Sequence, residues 1–166
     1  MGETLKITPT ESVEIISADD AALLLEATYL AGKPPPKHFH PGQDEHFEVL
    51  AGEVRVDLAG YERNYSAGEE FDVPRGTVHT FWNPGEGPAR VRWLTSPAGR
   101  TEQWFRAIDR IQKQGRVGKD GMPGPLAFGV LLTEYRDTFR LAGPDQLLRP
   151  ALALLGEIGR RRGYRP

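Results

Sequence analysis

The four histidines of this 166-residue chain lie in two short stretches, together with a glutamate. His38 and His40 are two residues apart, so both imidazoles leave the same face of an extended strand. Glu45 follows a proline–glycine pair that favours a turn, which can bring its carboxylate back on the neighbouring strand. His79 lies in a separate run of β-branched and aromatic residues, which is typical of a strand. Three neutral imidazoles and one carboxylate suit a borderline divalent metal ion.

This set of donors suits a catalytic metal site better than a structural one. Closed structural sites usually use thiolates, and the chain contains no cysteine. Four protein ligands can leave room for water or substrate when the coordination sphere is larger. His46 adjoins Glu45, and we therefore expect it on the opposite, outer face of the strand, together with Glu48.

The histidine stretches also contain glycines, a proline and an asparagine at fixed distances from the candidate ligands. The positions concerned are Gly32, His38, His40, Glu45 and Gly52, followed by Gly68, Pro74, Gly76, His79 and Asn83. Their spacing resembles the paired motifs of the cupin superfamily, G-x5-H-x-H-x4-E-x6-G and G-x5-P-x-G-x2-H-x3-N. The resemblance covers about residues 21–96 and implies a jelly-roll barrel with His38, His40, Glu45 and His79 as the metal ligands.

The resemblance further implies an enzyme of the oxygenase type, such as the flavonol-type dioxygenases, whose glutamate ligand also serves as a base. Glu45 is then the candidate catalytic residue, and the substrate is an oxygen-bearing small molecule that is enolic or aromatic. Isomerases and decarboxylases of the superfamily use similar sites, and a small-molecule-binding or sensor module without turnover is a further alternative. The sequence does not distinguish between iron, manganese, nickel, cobalt, copper and zinc, because affinity for divalent metals follows the same series whatever the function of the site.

Strand parity indicates a few candidates for a substrate pocket beside the ligands. Phe47 and Val49 are expected on the same strand face as Glu45, and Phe81 on the same face as His79. Phe71 lies on a separate strand, where inward and outward residues alternate. Such residues belong to a core as often as to a pocket. Weaker candidates are Trp82 and Trp93 for the pocket, and Tyr61, Arg55, Arg75 and Arg92 as substrate anchors.

Composition places the chain among ordinary globular domains. Charged residues make up 27% and hydrophobic residues 39%, and the net charge of −2 points to neither nucleic acid nor a membrane surface. The first residues lack the apolar stretch of a signal peptide, and no apolar run approaches the length of a membrane span. We therefore expect a cytoplasmic protein whose partners are a small molecule and a second copy of the chain.

The first part of the chain predicts a mainly β fold. Short runs rich in β-branched and aromatic residues alternate with glycine turns, which is typical of a jelly-roll barrel (a double-stranded β-helix). Residues 22–30 are ambiguous, because their alanines and leucines also favour a helix; the position before the histidines favours a strand. The expected strands are 4–7, 13–16, 22–30, 47–50, 53–58, 70–73, 79–82 and 89–95.

After residue 97 the pattern changes to helical periodicity, interrupted by glycine and proline. Helices are expected over 101–114, 126–141 and 145–162, with Pro150 either kinking the last one or marking its start. We therefore divide the chain into a barrel domain, 1–97, and a helical appendix, 98–166. The appendix is expected to pack on the barrel or across a homodimer, since its apolar stripes need burial. The basic run 160–165 leaves membrane attachment as a weaker alternative.

Overall fold

The computed structural model describes residues 3–119 and 121–165, and its sheets are antiparallel throughout. One sheet has six strands in the order β1-β2-β3-β10-β5-β8, and the other has five in the order β11-β4-β9-β6-β7. The strands are β1 (Thr4–Thr8), β2 (Glu11–Ala18), β3 (Leu23–Tyr29), β4 (His38–Phe39), β5 (Asp44–Ala51), β6 (Glu53–Leu58), β7 (Tyr61–Ser66), β8 (Glu70–Val73), β9 (His79–Trp82), β10 (Ala89–Ser96) and β11 (Arg140–Leu141).

The two sheets face each other across a core to which β3, β5, β8 and β10 contribute alternate residues, as in a jelly roll. In β3 every second residue is buried, which confirms that 22–30 forms a strand. In β5 the same alternation buries Glu45, Phe47 and Val49. Side chains of opposite parity in these strands are more exposed. The fold is the mainly β jelly roll that the sequence predicts, and a helical segment follows it.

Strand β7 was not predicted, and its environment explains why. It is an edge strand that pairs only with β6 in the five-stranded sheet. Five of its six residues are exposed, so neither face leaves an alternating apolar pattern in the sequence. Glycines occupy turns of the barrel that require positive φ, with 75° at Gly52, 89° at Gly68 and 77° at Gly76.

Three helices follow the barrel: α1 (Thr101–Lys113), α2 (Pro125–Glu134) and α3 (Asp145–Arg161). Helix α1 lies against β1, where the buried Asp109 carboxylate accepts a hydrogen bond from the Lys6 backbone N–H at 2.9 Å. Helix α2 packs mainly on α3. Among the described residues, none of the helices combines the length and the apolar character needed to cross a membrane.

The expected helix over 126–141 is wrong in its second half. Helix α2 ends at Glu134, and the chain turns through residues 135–138 before Arg140–Leu141 pairs with β4. Local periodicity cannot anticipate this, because the pairing partner lies about a hundred residues earlier in the sequence. The segment after α2 thereby returns to the barrel next to the histidines.

Helix α3 contains Pro150 in its interior, so this proline marks neither its start nor its end. Its apolar stripe is buried only in part, with Leu147 70% and Leu154 62% exposed. The buried positions are Gly156 and Gly159, which allow close contact with α2. The glycines, rather than the leucines, therefore set the distance between the two helices.

The close contact between α2 and α3 gives a stability prediction at Gly129. A Cβ added there would lie 2.7 Å from the Leu155 Cβ and 2.9 Å from the Gly156 nitrogen, both within α3. Helix propensity alone would favour alanine by roughly 1 kcal/mol. We expect Gly129→Ala to destabilise instead, by about 1–3 kcal/mol, because the helices must separate. Urea unfolding measures the change.

The control for Gly129→Ala is Gly87→Ala, because a Cβ at Gly87 would meet nothing within 4 Å. Its midpoint in urea should stay close to that of the natural chain. Equal midpoints for both variants would contradict the close packing of α2 on α3.

Candidate metal centre

Three histidine rings meet at one end of the barrel. Strand β4 pairs with β9 at His38 and His79, which lie opposite each other in register. Their ring centroids are 4.4 Å apart, and those of His40 and His79 are 5.3 Å apart. One ring nitrogen from each of the three lies within 4.8 Å of the others, so these residues could hold a metal ion.

Backbone carbonyls orient all three rings in the same way. Each Nδ1 donates a hydrogen bond to a carbonyl oxygen, which leaves the Nε2 lone pair for a ligand. The acceptors for His38, His40 and His79 are the carbonyls of Pro36, Thr138 and Thr77, at 3.0, 2.7 and 3.0 Å. Such contacts to the second ring nitrogen are typical of metal-binding histidines.

The Glu45 carboxylate lies beside two of the rings. Its Oε1 is 3.4 Å from His40 Nε2, and its Oε2 is 3.4 Å from His79 Nε2. The Trp93 indole N–H donates a hydrogen bond to Oε1 at 3.2 Å. This bond joins β10 to β5 and fixes the orientation of a carboxylate that is only 2% exposed.

Two buried polar atoms of the cluster provide a test of whether its residues suit a metal ion. His40 Nε2 and Glu45 Oε2 are both buried, and neither has a hydrogen-bond partner in the described part of the chain. Burying a polar group without a partner is costly. A divalent cation between the rings and the carboxylate would satisfy both atoms. The donor set therefore fits a divalent transition metal.

The protonation of the cluster favours metal uptake. Burial lowers the pKa of His40 to about 4. Burial, followed by the charges of His79 and His40, lowers the pKa of His38 well below its ordinary value. Burial raises the pKa of Glu45 to about 7, against the opposing influence of His79 and of the Trp93 hydrogen bond. The imidazoles are thus neutral near neutral pH, and a metal displaces no proton from His38 or His40.

The raised pKa of Glu45 predicts how the stability of the metal-free protein depends on pH. The folded value is about 7 and the ordinary value is 4.5, so the folded state binds this proton more tightly. That contribution is fully present below pH 4.5 and is lost as the pH rises through 7. We expect Glu45→Gln to gain stability relative to the natural chain over this interval, by up to about 1.4 kcal/mol per pH unit.

Urea unfolding in a chelator, at several pH values, measures this difference. The contributions of His38 and His40 are common to both proteins, so the difference between the two curves reports the Glu45 carboxyl group together with its electrostatic coupling to His79. Parallel curves between pH 4.5 and 7 would show that the folded-state pKa of Glu45 is not raised.

The segment after α2 covers the histidines. Thr138 supplies the carbonyl that orients His40. The Phe139 ring stacks on His38 with centroids 4.5 Å apart, and on Trp104 of α1 with centroids 4.7 Å apart. Residues from beyond the barrel therefore contribute directly to the site, which sequence reasoning missed because none of them belongs to the histidine stretches.

A cavity of about 110 Å³ adjoins the three histidines; we call it the inner cavity. Its walls are mostly apolar, and helix α1 supplies Trp104, Phe105 and Ile108. A wider cleft of about 520 Å³, the outer cleft, shares several lining residues with it and extends past the proline run at 34–36. A ligand can therefore place one group at the histidines and extend the rest of its body into the outer cleft.

The predicted pocket residues fall into two groups in the structure, those that line a cavity and those that pack only in the core. Phe81 lines both the inner cavity and the outer cleft, and Trp93 lines the inner cavity. Phe47, Val49 and Phe71 instead pack in the core and do not line either space. Strand parity placed them on the correct face but could not tell how far along the barrel axis the cavity extends.

The predicted substrate anchors lie outside the site. Arg75 pairs with Asp44 at 2.5 Å, and Arg92 pairs with Glu48 at 2.8 Å. In the five-stranded sheet, Arg55 donates to Asn64 at 2.8 Å, and Tyr61 is 83% exposed.

The remaining parity predictions are confirmed. His46 faces outward, where its Nδ1 contacts the Asp72 carboxylate at 2.8 Å. Asn83 has a structural role, because its side-chain amide donates hydrogen bonds to the Tyr29 and Gly87 carbonyls.

Comparison with known proteins agrees with this architecture. Residues 25–95 match the family model described as Cupin domain, Cupin_2. A cupin of the RmlC-like type from Shewanella frigidimarina superposes with a TM-score of 0.56 at 20% identity, covering 61% of this chain and 89% of that structure. The chain therefore contains a cupin-superfamily domain, as the motif resemblance implied.

Curated relatives match parts of the chain. The probable oxidoreductase yanE of Aspergillus niger is 38% identical over 81 residues, which are 48% of this chain and 31% of the relative. The tetracenomycin polyketide synthase protein TcmJ of Streptomyces glaucescens is 31% identical over 97 residues, which are 58% of each protein. The chain thus spans less than a third of the length of the first of these relatives and more than half of the second.

Proposed function

We propose that the protein is a metal-dependent enzyme of the oxygenase type that acts on an enolic or phenolic small molecule with an aromatic body. The observation that carries this proposal is the position of the ligand cluster, because three histidines line an apolar, aromatic-rich cavity and a carboxylate lies 3.4 Å from two of their ring nitrogens. Donors of this kind bind a catalytic metal, and the walls match an aromatic ligand.

Each residue of the cluster has a distinct role in the proposed reaction. His38, His40 and His79 hold the metal through Nε2, and their Nδ1 contacts keep the rings in position. A redox-active divalent metal supplies Lewis acidity and electron transfer when bound, with iron, manganese, nickel, cobalt and copper as candidates and zinc as the Lewis acid alone. Glu45 accepts the proton of the substrate hydroxyl on a carboxylate oxygen.

The environment of Glu45 suits this exchange of a proton. Burial raises its pKa to about 7 in the metal-free protein, and a bound cation would lower that pKa and favour the carboxylate form that accepts a proton. The Trp93 N–H holds Oε1, which leaves Oε2 for the substrate or the metal. The remaining walls exclude water from the reacting group.

The cavity also favours an aromatic substrate over a small acid. An engineered cavity of about 150 Å³ binds benzene, and the inner cavity of about 110 Å³ is comparable to one ring. A compact dicarboxylate would leave its charges against Trp104, Phe105 and Phe139, at a high desolvation cost. The names of the relatives, an oxidoreductase and a protein of a polyketide synthase, support oxidative chemistry on polyketide-like aromatic compounds.

The decisive experiment measures oxygen uptake by protein loaded separately with each candidate metal, against a panel of catechols, naphthols and flavonols. We expect stoichiometric oxygen consumption with at least one redox-active metal and none with zinc. A product formed without oxygen would indicate an isomerase or a decarboxylase instead. A stable complex without chemical change would indicate a binding or sensor module. Either result would overturn the oxygenase proposal.

A further inference from the structure

A second carboxylate faces the interior of the barrel, away from the metal cluster. Glu11 is the first residue of β2, and it shares the inward parity of Val13, which is 1% exposed. It lines both the inner cavity and the outer cleft. A carboxylate on an otherwise apolar inward face is costly to bury, so its presence there calls for a partner.

The partner within the protein is Tyr29. The two residues lie directly opposite each other in the register of β2 and β3, where side chains on one face are close neighbours. In this position the Tyr29 hydroxyl can donate a hydrogen bond to the Glu11 carboxylate, which acts to lower the pKa of Glu11 against the effect of burial. Tyr29 is 6% exposed and also lines both spaces, so the pair marks the junction between the inner cavity and the outer cleft.

The pair lies at a defined separation from the metal cluster along the cavity wall. The Tyr29 ring contacts Phe81 edge-on, with centroids 5.0 Å apart. Phe81 is two residues after His79 on the same face of β9, a step of about 6.6 Å along the strand. A fused aromatic molecule with one oxygen at the histidines would therefore extend its distal ring past Phe81 towards the pair.

The pair has capacity for a further hydrogen bond. A carboxylate has roughly four acceptor positions, and the bond from Tyr29 fills one of them. Burial raises the pKa of Glu11 to about 7, and the influence of Tyr29 opposes that rise. A role confined to bracing β2 on β3 would not require a position on the wall of two connected cavities.

We propose that Glu11 and Tyr29 form a substrate-binding pair that recognises a hydroxyl group on the distal ring of an aromatic substrate. The Glu11 carboxylate accepts a hydrogen bond from that hydroxyl, and Tyr29 keeps the carboxylate in place. The pair therefore selects polyhydroxylated aromatic compounds and discriminates against compounds with an acidic group at the distal position, since two carboxylates repel. This inference rests on the proposed function, because that function places the reacting oxygen at the histidines.

The test compares the affinities of three probes for zinc-loaded protein, in which oxygen chemistry does not consume the probe. The probes are a naphthalenediol, the triol with an added hydroxyl on the distal ring, and the analogue with a carboxylate in place of that hydroxyl. A hydrogen bond to a charged acceptor corresponds to roughly tenfold or more in affinity. We expect the triol to bind about tenfold more tightly than the diol, and the carboxylate analogue to bind more weakly than both.

Two variants test whether Glu11 and Tyr29 cause the preference for the triol over the diol. Glu11→Gln keeps the size of the side chain and should reduce the preference for the triol while improving the affinity for the carboxylate analogue. Tyr29→Phe should reduce the preference for the triol to a smaller extent. The control is Glu14→Gln on the opposite face of β2, which should change neither ratio. Thermal unfolding and metal content, measured in parallel, show that each variant is folded and loaded.

Several outcomes would overturn the inference. These are equal affinity of the natural protein for diol and triol, no binding of any probe, or a preference for the triol that is as large in Glu11→Gln as in the natural protein. Tighter binding of the carboxylate analogue by Glu11→Gln than by the natural protein would support the inference, because a purely structural role of Glu11 would not produce it. If the preference holds while no redox-active metal supports oxygen uptake, the oxygenase proposal fails and the binding pair stands.

Discussion

The His79→Ala variant is expected to lose metal affinity by more than about 100-fold, because even the loss of an outer-shell partner typically costs 10- to 100-fold. His79 contributes one of the three convergent ring nitrogens and lies in register with His38. Its side chain is 1% exposed, so the change also leaves a cavity. His79→Gln, which retains more of the volume, separates the loss of a donor from loss of packing. Elemental analysis and a competition titration measure the effect.

The matched control is His46→Ala, which removes the one histidine that faces outward. Its metal content and affinity should equal those of the natural protein. Unchanged metal content in both His79 variants would remove the metal-site hypothesis. Equal losses in the His46 and His79 variants would show that the assay reports adventitious binding by surface histidines.

The Glu45→Gln variant is expected to lose turnover by about 100- to 10,000-fold at saturating metal, the range usual for removal of a general base. Glutamine preserves the shape of the side chain, and its amide oxygen can still accept the Trp93 hydrogen bond. It cannot accept the proton of the substrate hydroxyl. Initial rates of oxygen uptake, with metal occupancy determined on the same samples, separate this loss from weaker metal binding.

Glu48→Gln serves as the control for Glu45→Gln, because Glu48 lies on the same strand and pairs with Arg92 on the outer surface. Its rate should match that of the natural protein within the error of the assay. Full turnover in metal-loaded Glu45→Gln would exclude Glu45 as the base and would leave it with a structural role only.

The sequence predicted that the three histidines and Glu45 lie close together, and in the structure these side chains do so. His38 and His40 share a face by strand parity, and a turn returns Glu45 to their side. The same rule predicted that His46 lies outside the cluster, and in the structure it contacts Asp72 at the surface. The positions of His38, His40 and His46 follow from the two-residue repeat of a strand, whereas Glu45 also needs the turn and His79 joins the cluster through the pairing of β4 with β9.

The rest of the site depends on contacts between distant segments, which one sequence does not reveal. Phe139 reaches His38 because α2 stops early and the following residues pair with β4. Glu11 meets Tyr29 through the register of β2 with β3. One signal was present for Glu11, since it is in phase with Val13 and Ile15, but a carboxylate at the start of a strand is more often exposed.

The hydrogen bond from His40 to the Thr138 carbonyl links the two parts of the chain over 98 residues. During synthesis the barrel emerges first, when the residue that orients this ring has not yet been made. We therefore expect a nascent barrel to capture metal weakly, and affinity to rise only after the C-terminal segment docks. By thermodynamic linkage, a bound metal protects that docked segment. Metal-loaded protein should consequently resist proteolysis after α2 better than metal-free protein.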